Sequence, residues 1–253
     1  MAEAEKYSPL ATRSELFGGL SSSVCTNILS TACPMSFTGR QVIYFAGDQI
    51  EQIFLLTDGR VKITQFSERG TEVILRLCIP GEVISELALV PGSRHSTTAQ
   101  AAQDCDLLAW DAATFEAAME RFPDLRSNVK RILEQRLHEL ERRLCEVATE
   151  TVAPRLAHGL ARLLDQIGRN VNGHVEINVS QEVLAQMTSM VSFTVCRILT
   201  NWENQGVLKL RREVIEIHNV PRLLDLCKAN SAVPRKSEQS TVTARWNESK
   251  GSL

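Results

Sequence analysis

The chain has 253 residues, 43% hydrophobic and 23% charged, an ordinary globular balance with length enough for two modest domains. No run of 18 apolar residues occurs, and the first ten residues carry Glu3, Glu5 and Lys6 with no apolar stretch behind them, so neither a membrane span nor a signal peptide is expected and a cytoplasmic protein is. The net charge of −2 hides an asymmetry: residues 1–120 hold 8 Lys/Arg against 15 Asp/Glu and residues 121–253 hold 20 against 15, so the carboxyl half is the side suited to approach a polyanion. Seven cysteines, odd in number and never in Cys-x-x-Cys spacing, argue for reduced thiols rather than a disulfide frame or a zinc site.

Residues 1–14 read as a tail, and Glu15 to Ala32 as a short helical stretch opening a first domain over 15–122. From Gly39 to about Trp110, short β-prone runs alternate with turn residues: Val42 to Phe45, Ile53 to Leu56, Val61 to Ile63, Val73 to Leu77 and Leu107 to Trp110. Gly39, Gly47, Gly59, Gly70 and Gly81 recur at intervals of 8, 12, 11 and 11, as expected of turns that need positive φ or close backbone approach. The pattern predicts a compact antiparallel β-roll. Asp111 to Phe122 reads as a short helix.

Pro123-Asp124 then opens a long helix over 123–150. Leu133, Leu137, Leu140, Leu144 and Val147 step by 4, 3, 4, 3 along it, flanked by Arg131, Glu134, Arg136, Glu139, Arg142 and Arg143. This seam suits a coiled-coil-like homodimer contact; the same stripe could instead lie on the chain's own β-domain.

The region 151–220 opens with a helix from Arg155 to Ile167 and continues as a helix-turn-helix with a β-wing. Ser180 is an N-cap, Gln181 and Glu182 put polar and acidic character in the first turn, and Val183, Leu184 and Met187 supply one apolar face. After the break at Thr188 to Met190, a second helix places Val195, Ile198, Leu199 and Trp202 inward. Its outward residues Ser192, Phe193, Thr194, Cys196 and Arg197 stand where a recognition helix meets base edges. Gly206 ends this helix, and Val207 to Leu210 with Val214 to Ile217 form a hairpin whose basic residues Lys209, Arg211 and Arg212 suit phosphate contact. Residues 221–253 read as a helix remnant and, from Ala229, a Ser-, Lys-, Glu- and Thr-rich tail expected to be disordered.

A glycine-punctuated roll, a seam helix and a winged helix-turn-helix in this order resemble the CRP/FNR superfamily of bacterial transcription regulators. The likeness covers about residues 15 to 220 and rests on Gly39-Arg-Gln-Val-Ile-Tyr-Phe-Ala-Gly47-Asp48, Asp58-Gly59-Arg-Val-Lys, Gly81-Glu82, Leu184-Ala185 and Val195-Cys-Arg197-Ile-Leu. It implies an α+β protein: an N-terminal antiparallel β-roll like the cyclic-nucleotide-binding fold, a long dimerisation helix and a C-terminal winged helix-turn-helix. It also implies a homodimer on a pseudo-palindromic double-stranded DNA site, an effector sensed in the roll, and RNA polymerase as a further partner.

The departures concern the effector. In relatives that bind cyclic AMP, the Glu of Gly-Glu accepts from the ribose hydroxyl and the Arg of a following Arg-Ser pair neutralises the phosphate; here Gly81-Glu82 is kept but His95-Ser96 stands in place of Arg-Ser, with Arg94 one position early. A neutral imidazole lacks the permanent charge of a guanidinium. Leu140 and Glu141 stand where the adenine-binding polar pair is expected, and Leu140 cannot hydrogen-bond a base. The expectation is therefore a different effector or none, and Glu82, Arg94, His95, Ser96 and Leu140 would line the pocket if one exists. An iron–sulfur cluster is not expected from Cys25 and Cys33, two widely spaced thiols, nor haem from the isolated His95 or His138.

In the recognition helix, Val191-Ser192-Phe193-Thr194-Val195-Cys196-Arg197 replaces the family's Ser-Arg-Glu-Thr-Val-Ser-Arg, keeping Arg197 for guanine or phosphate. Phe193 either meets thymine methyl groups or pads the turn. Ser189 replaces the usual turn glycine, at a cost on the order of 1 kcal/mol if left-handed. The function expected is a sequence-specific DNA-binding regulator; the alternative is a small-molecule binding module whose helix-turn-helix serves protein contacts. No nucleophile–base pair, metal-ligand spacing or phosphate loop points to an enzyme.

Overall fold

The computed structural model describes residues 7–87 and 92–228; residues 1–6 of the expected tail and the expected disordered stretch from Ala229 lie outside the described residues. Helix α1 (Ser8–Arg13) and a 3₁₀ turn (Glu15–Phe17) precede α2 (Ser22–Leu29). The helical stretch expected over Glu15 to Ala32 is thus divided, at Gly18-Gly19, where Gly19 has φ 75° and Ser21 then caps α2 through the amide of Val24.

Seven strands build the roll: β1 (Cys33–Phe37), β2 (Val42–Tyr44), β3 (Gln52–Asp58), β4 (Val61–Phe66), β5 (Glu72–Cys78), β6 (Thr98–Ala101) and β7 (Cys105–Asp111). They form two antiparallel sheets, β1-β7-β3 and β2-β6-β4-β5. Between the sheets lie Tyr44, Phe54, Leu56, Val61, Ile63, Ile84 and Leu107. Gly59 makes the tight β3–β4 turn for two reasons: its φ is 85°, and an added Cβ would sit 2.2 Å from the carbonyl oxygen of Asp104.

The outer face of β1-β7-β3 is covered by the N-terminal helices, α3 (Ala112–Arg121) and the start of α4 (Pro123–Thr149). Trp110 and Phe115 are buried there with Leu16, Ile28, Leu125, Val129 and Ile132, and Trp110 Nε1 donates to the Ile28 carbonyl at 2.9 Å. Asn128 fastens α4 to the preceding loop by donating to the carbonyls of Leu16 (3.0 Å) and Gly18 (2.9 Å). A proline at the first turn and Asp124 beside it start the helix, which over 27 residues runs roughly 40 Å.

The carboxyl-terminal domain consists of α5 (Val152–Ile167), β8 (Arg169–Val171), β9 (His174–Asn178), α6 (Gln181–Thr188), α7 (Ser192–Asn204), β10 (Leu208–Arg211), β11 (Val214–Ile217) and α8 (Val220–Lys228). The wing is larger than the expected hairpin, because β9 pairs with β11 and gives a four-stranded sheet in the order β10-β11-β9-β8. Leu223 and Cys227 of α8 enter the same core as Leu156, Leu160, Leu163, Leu184, Leu199 and Trp202, so this core reaches beyond residue 220.

Ile74 and Leu77 of β5 belong to that core too, so the roll and the reading domain share buried surface. Helix α6 rests on β5, where Gln186 Nε2 donates to Glu72 (3.0 Å) and Lys62 pairs with the same carboxylate (2.7 Å). No single helix among the described residues is long and apolar enough to cross a membrane.

Candidate functional site

In the helix-turn-helix, the Ser180 hydroxyl accepts from the amide of Val183 at 3.2 Å and so satisfies one orphan donor of α6. The turn is left-handed at Ser189 (φ 54°, ψ 46°), the conformation for which serine is less suited than glycine. Val195, Ile198, Leu199 and Trp202 are buried, which turns the other face of α7 outward. Ser192, Cys196 and Arg197 are exposed, and Phe193 is 78% exposed, so it does not pad the turn. Thr194 is half-buried, as are Ser180 and Gln181 at the start of α6. Lys209, Arg211 and Arg212 lie exposed on the wing, with Glu213 at φ 59° making the hairpin turn.

The predicted effector residues divide into two neighbouring groups around Ile84, and two of them lie outside both. Glu82 lies on the segment after β5 that pairs through its backbone with Leu56 of β3, and burial pushes its carboxyl above the usual range despite the opposing pull of Arg76 and Arg136. Arg136 reaches in from α4 to donate to the carbonyls of Ser85 (3.2 Å) and Val83, while Arg76 donates to that of Ile84 (3.4 Å). Burial first and Arg76 second push the Arg136 guanidinium down to about 10.

In the second group, His95 stacks on Tyr44 (centroids 3.6 Å apart, planes 11° apart), Tyr44 donates to the Ile84 carbonyl (2.9 Å), and Ser96 donates to Glu86 (2.6 Å). Burial lowers the pKa of His95 and favours its neutral form. Arg94 is exposed and donates to the Gly47 carbonyl (2.7 Å), on a turn outside the two groups. Leu140 lies 46% exposed on the apolar stripe of α4. Arg76, Arg136, Tyr44 and Glu86 are thus the groups not anticipated from sequence. Arg76 carried a signal, being the one charge inside the apolar run Val73 to Leu77, whereas Arg136 looked like any flank of the seam.

The seam residues Leu133, Leu137, Leu140, Leu144 and Val147 are between 37% and 69% exposed, so the roll does not cover them. Their flanking charges are organised within the chain: Glu139 pairs with Arg142 (2.6 Å) and Arg143 (2.9 Å), and Arg162 of α5 pairs with the buried Glu146 (2.7 Å).

Against known families, residues 34–122 match the Cyclic nucleotide-binding domain and residues 154–226 match the Crp-like helix-turn-helix domain. The chain belongs to the CRP/FNR superfamily of transcription regulators. The regulator is 27% identical to the Cyclic AMP receptor protein of Thermus thermophilus over 213 residues, covering 84% of this chain and 96% of that protein. It is 25% identical to the Global nitrogen regulator of Synechocystis over 188 residues, covering 73% and 84%. Among solved structures, FixK2 from Bradyrhizobium japonicum superposes with a TM-score of 0.69 at 21% identity (77% and 96% covered), and a CRP/FNR-family regulator from Thermus thermophilus with 0.67 at 24% (78% and 100%). These structures share the α+β fold of a sensor roll followed by a helix-turn-helix domain. The regulator is a DNA-binding transcription factor.

Proposed function

We propose that the regulator acts as a homodimer joined along α4, presenting two copies of α7 to the half-sites of a pseudo-palindromic promoter in the cytoplasm, where it also meets RNA polymerase. The observation that carries this reading is the exposed apolar stripe Leu133–Leu137–Leu140–Leu144–Val147 at coiled-coil spacing, on a helix whose earlier apolar residues are all buried. Arg197 is assigned to base reading, with Ser192, Phe193 and Thr194 beside it and Phe193 against thymine methyl groups. Ser180, Gln181, Lys209, Arg211 and Arg212 are assigned to the phosphates.

The effector is proposed to be a small anion other than cyclic AMP. Two guanidiniums, Arg76 and Arg136, face one carboxylate, Glu82, whose charge burial disfavours, which leaves positive charge in a poorly solvated place. The uncharged His95 and apolar Leu140 supply neither the phosphate nor the base partner a cyclic nucleotide needs.

Light scattering and a gel shift on the same preparations test the dimer. The intact protein should run at twice the chain mass and retard its own upstream region as a discrete complex, while Leu137→Lys with Leu144→Lys should run as a folded monomer with at least about tenfold weaker promoter affinity. A double variant that stays dimeric and keeps its affinity refutes the proposal.

A further inference from the structure

The wing sheet carries a cluster that reading DNA does not require. Antiparallel register sets Glu176 of β9 directly across from Glu216 of β11, and beyond the last paired residues the rings of His174 and His218 stack on each other. Like charges at directly opposed positions destabilise a ladder unless a cation lies between them. The register also flanks this pair with Lys209 on β10 and Arg169 on β8, yet among the described residues neither forms an ion pair with either carboxylate.

The ligand atoms of His174, Glu176 and Glu216 instead all lie within 4.8 Å of one another, and His218 stands beside Glu216. His174 Nε2 lies 3.4 Å from Glu176 Oε1 and 3.9 Å from Glu216 Oε1, and His218 Nε2 lies 3.3 Å from Glu216 Oε2. The two imidazoles are stacked 5.0 Å apart with their planes 18° apart, so both present Nε2 to the same carboxylate. Glu216 is only 1% exposed, and its Oε1 is held by an ion pair with the Arg211 guanidinium. Two carboxylates and two imidazoles thus crowd one face of the sheet, with Arg211 the cation paired to Glu216.

Ligands about 2.0–2.2 Å from a tetrahedral ion stand roughly 3.3–3.5 Å from one another, close to the spacings found. Two imidazoles with carboxylates suit a borderline first-row ion and not magnesium or calcium, which prefer oxygen alone. We propose that His174, Glu176, Glu216 and His218 form a binding site for a divalent transition-metal ion, zinc foremost, within the wing. Occupancy removes Arg211 from Glu216 and frees its guanidinium for a DNA phosphate. This second step rests on the wing assignment made above; the metal site does not.

The test uses the full chain titrated with zinc against a chromophoric chelator, and with cobalt for its visible spectrum. One zinc per chain is expected, bound at least about tenfold more weakly by His174→Ala and by the exposed-position variant His218→Ala, each checked for an unchanged circular dichroism spectrum. Cobalt should give tetrahedral d–d bands without thiolate charge transfer, which separates this site from the free cysteines. Zinc should tighten promoter binding in the intact protein and leave it unchanged in Arg211→Ala.

Equal zinc affinity in folded His174→Ala and His218→Ala, a cobalt–thiolate band, or no stoichiometric binding overturns the site. If zinc binds as expected but promoter affinity does not respond, the coupling through Arg211 falls and the site stands. If zinc fails to bind while the promoter complex forms, the regulator reading stands and the site falls.

Discussion

The roll and the reading domain keep their unusual groups in opposite places. In the roll, Glu82, Arg136, Tyr44 and His95 turn inward, and burial shifts the ionisation of each. In the reading domain, Phe193, Arg197, Lys209 and Arg212 turn outward, over an apolar core beside which Thr188 and Glu216 are buried polar side chains. A buried polar cluster is suited to enclosing something small, whose own polar atoms replace lost water. An exposed convex helix with a basic wing is suited to a surface too large to enclose. Substitutions should therefore divide cleanly: inside the roll they cost stability, and on the reading face they cost selectivity.

The largest effect expected is on the roll. Trp110→Ala removes a fully buried indole and its hydrogen bond to Ile28, and should cost about 3–5 kcal/mol in denaturant unfolding. A loss below about 1 kcal/mol would mean that this core is looser than its burial implies. Next comes Arg197→Ala, which should lose about 1–3 kcal/mol of discrimination between promoter and scrambled DNA while thermal stability stays within about 0.5 kcal/mol. If it melted early instead, the exposed face would be serving the fold and the division would fail.

The smallest effect sharpens the contrast by pH. Burial lowers the pKa of His95 below its ordinary value of 6.5, so between the folded and unfolded values the unfolded chain binds more protons. Stability should be complete above pH 6.5 and fall as pH drops below it; His95→Phe, keeping the stack on Tyr44, should flatten that fall in urea titrations at pH 5 to 7.

Much of this architecture could be read from the residues. The helix-turn-helix was legible because each helix buries a stripe at 3.6-residue spacing, and the long α4 because Leu133 to Val147 repeat so regularly. Strand β6 was missed since Thr-Ala-Gln-Ala has little β-preference, and β1 because Cys33-Pro34 reads as a breaker although it lies at a sheet edge, beside β7 alone. β9 was missed because His174-Val-Glu-Ile-Asn178 is short and half polar. The site was less legible than the fold. Arg76 and Arg136 are 60 positions apart and meet only after the roll folds beneath α4; Glu176 and Glu216, 40 apart, are brought together by a ladder that periodicity does not reveal.

Strand β5 carries Arg76, which acts on Glu82, and also Ile74 and Leu77, which lie under the reading domain. Seven residues of backbone thus belong to both halves at once, with no slack segment between sensing and reading. Calorimetry should record one melting event rather than two, and whatever pulls on the guanidinium at one side of that strand will tilt the floor on which the recognition module stands.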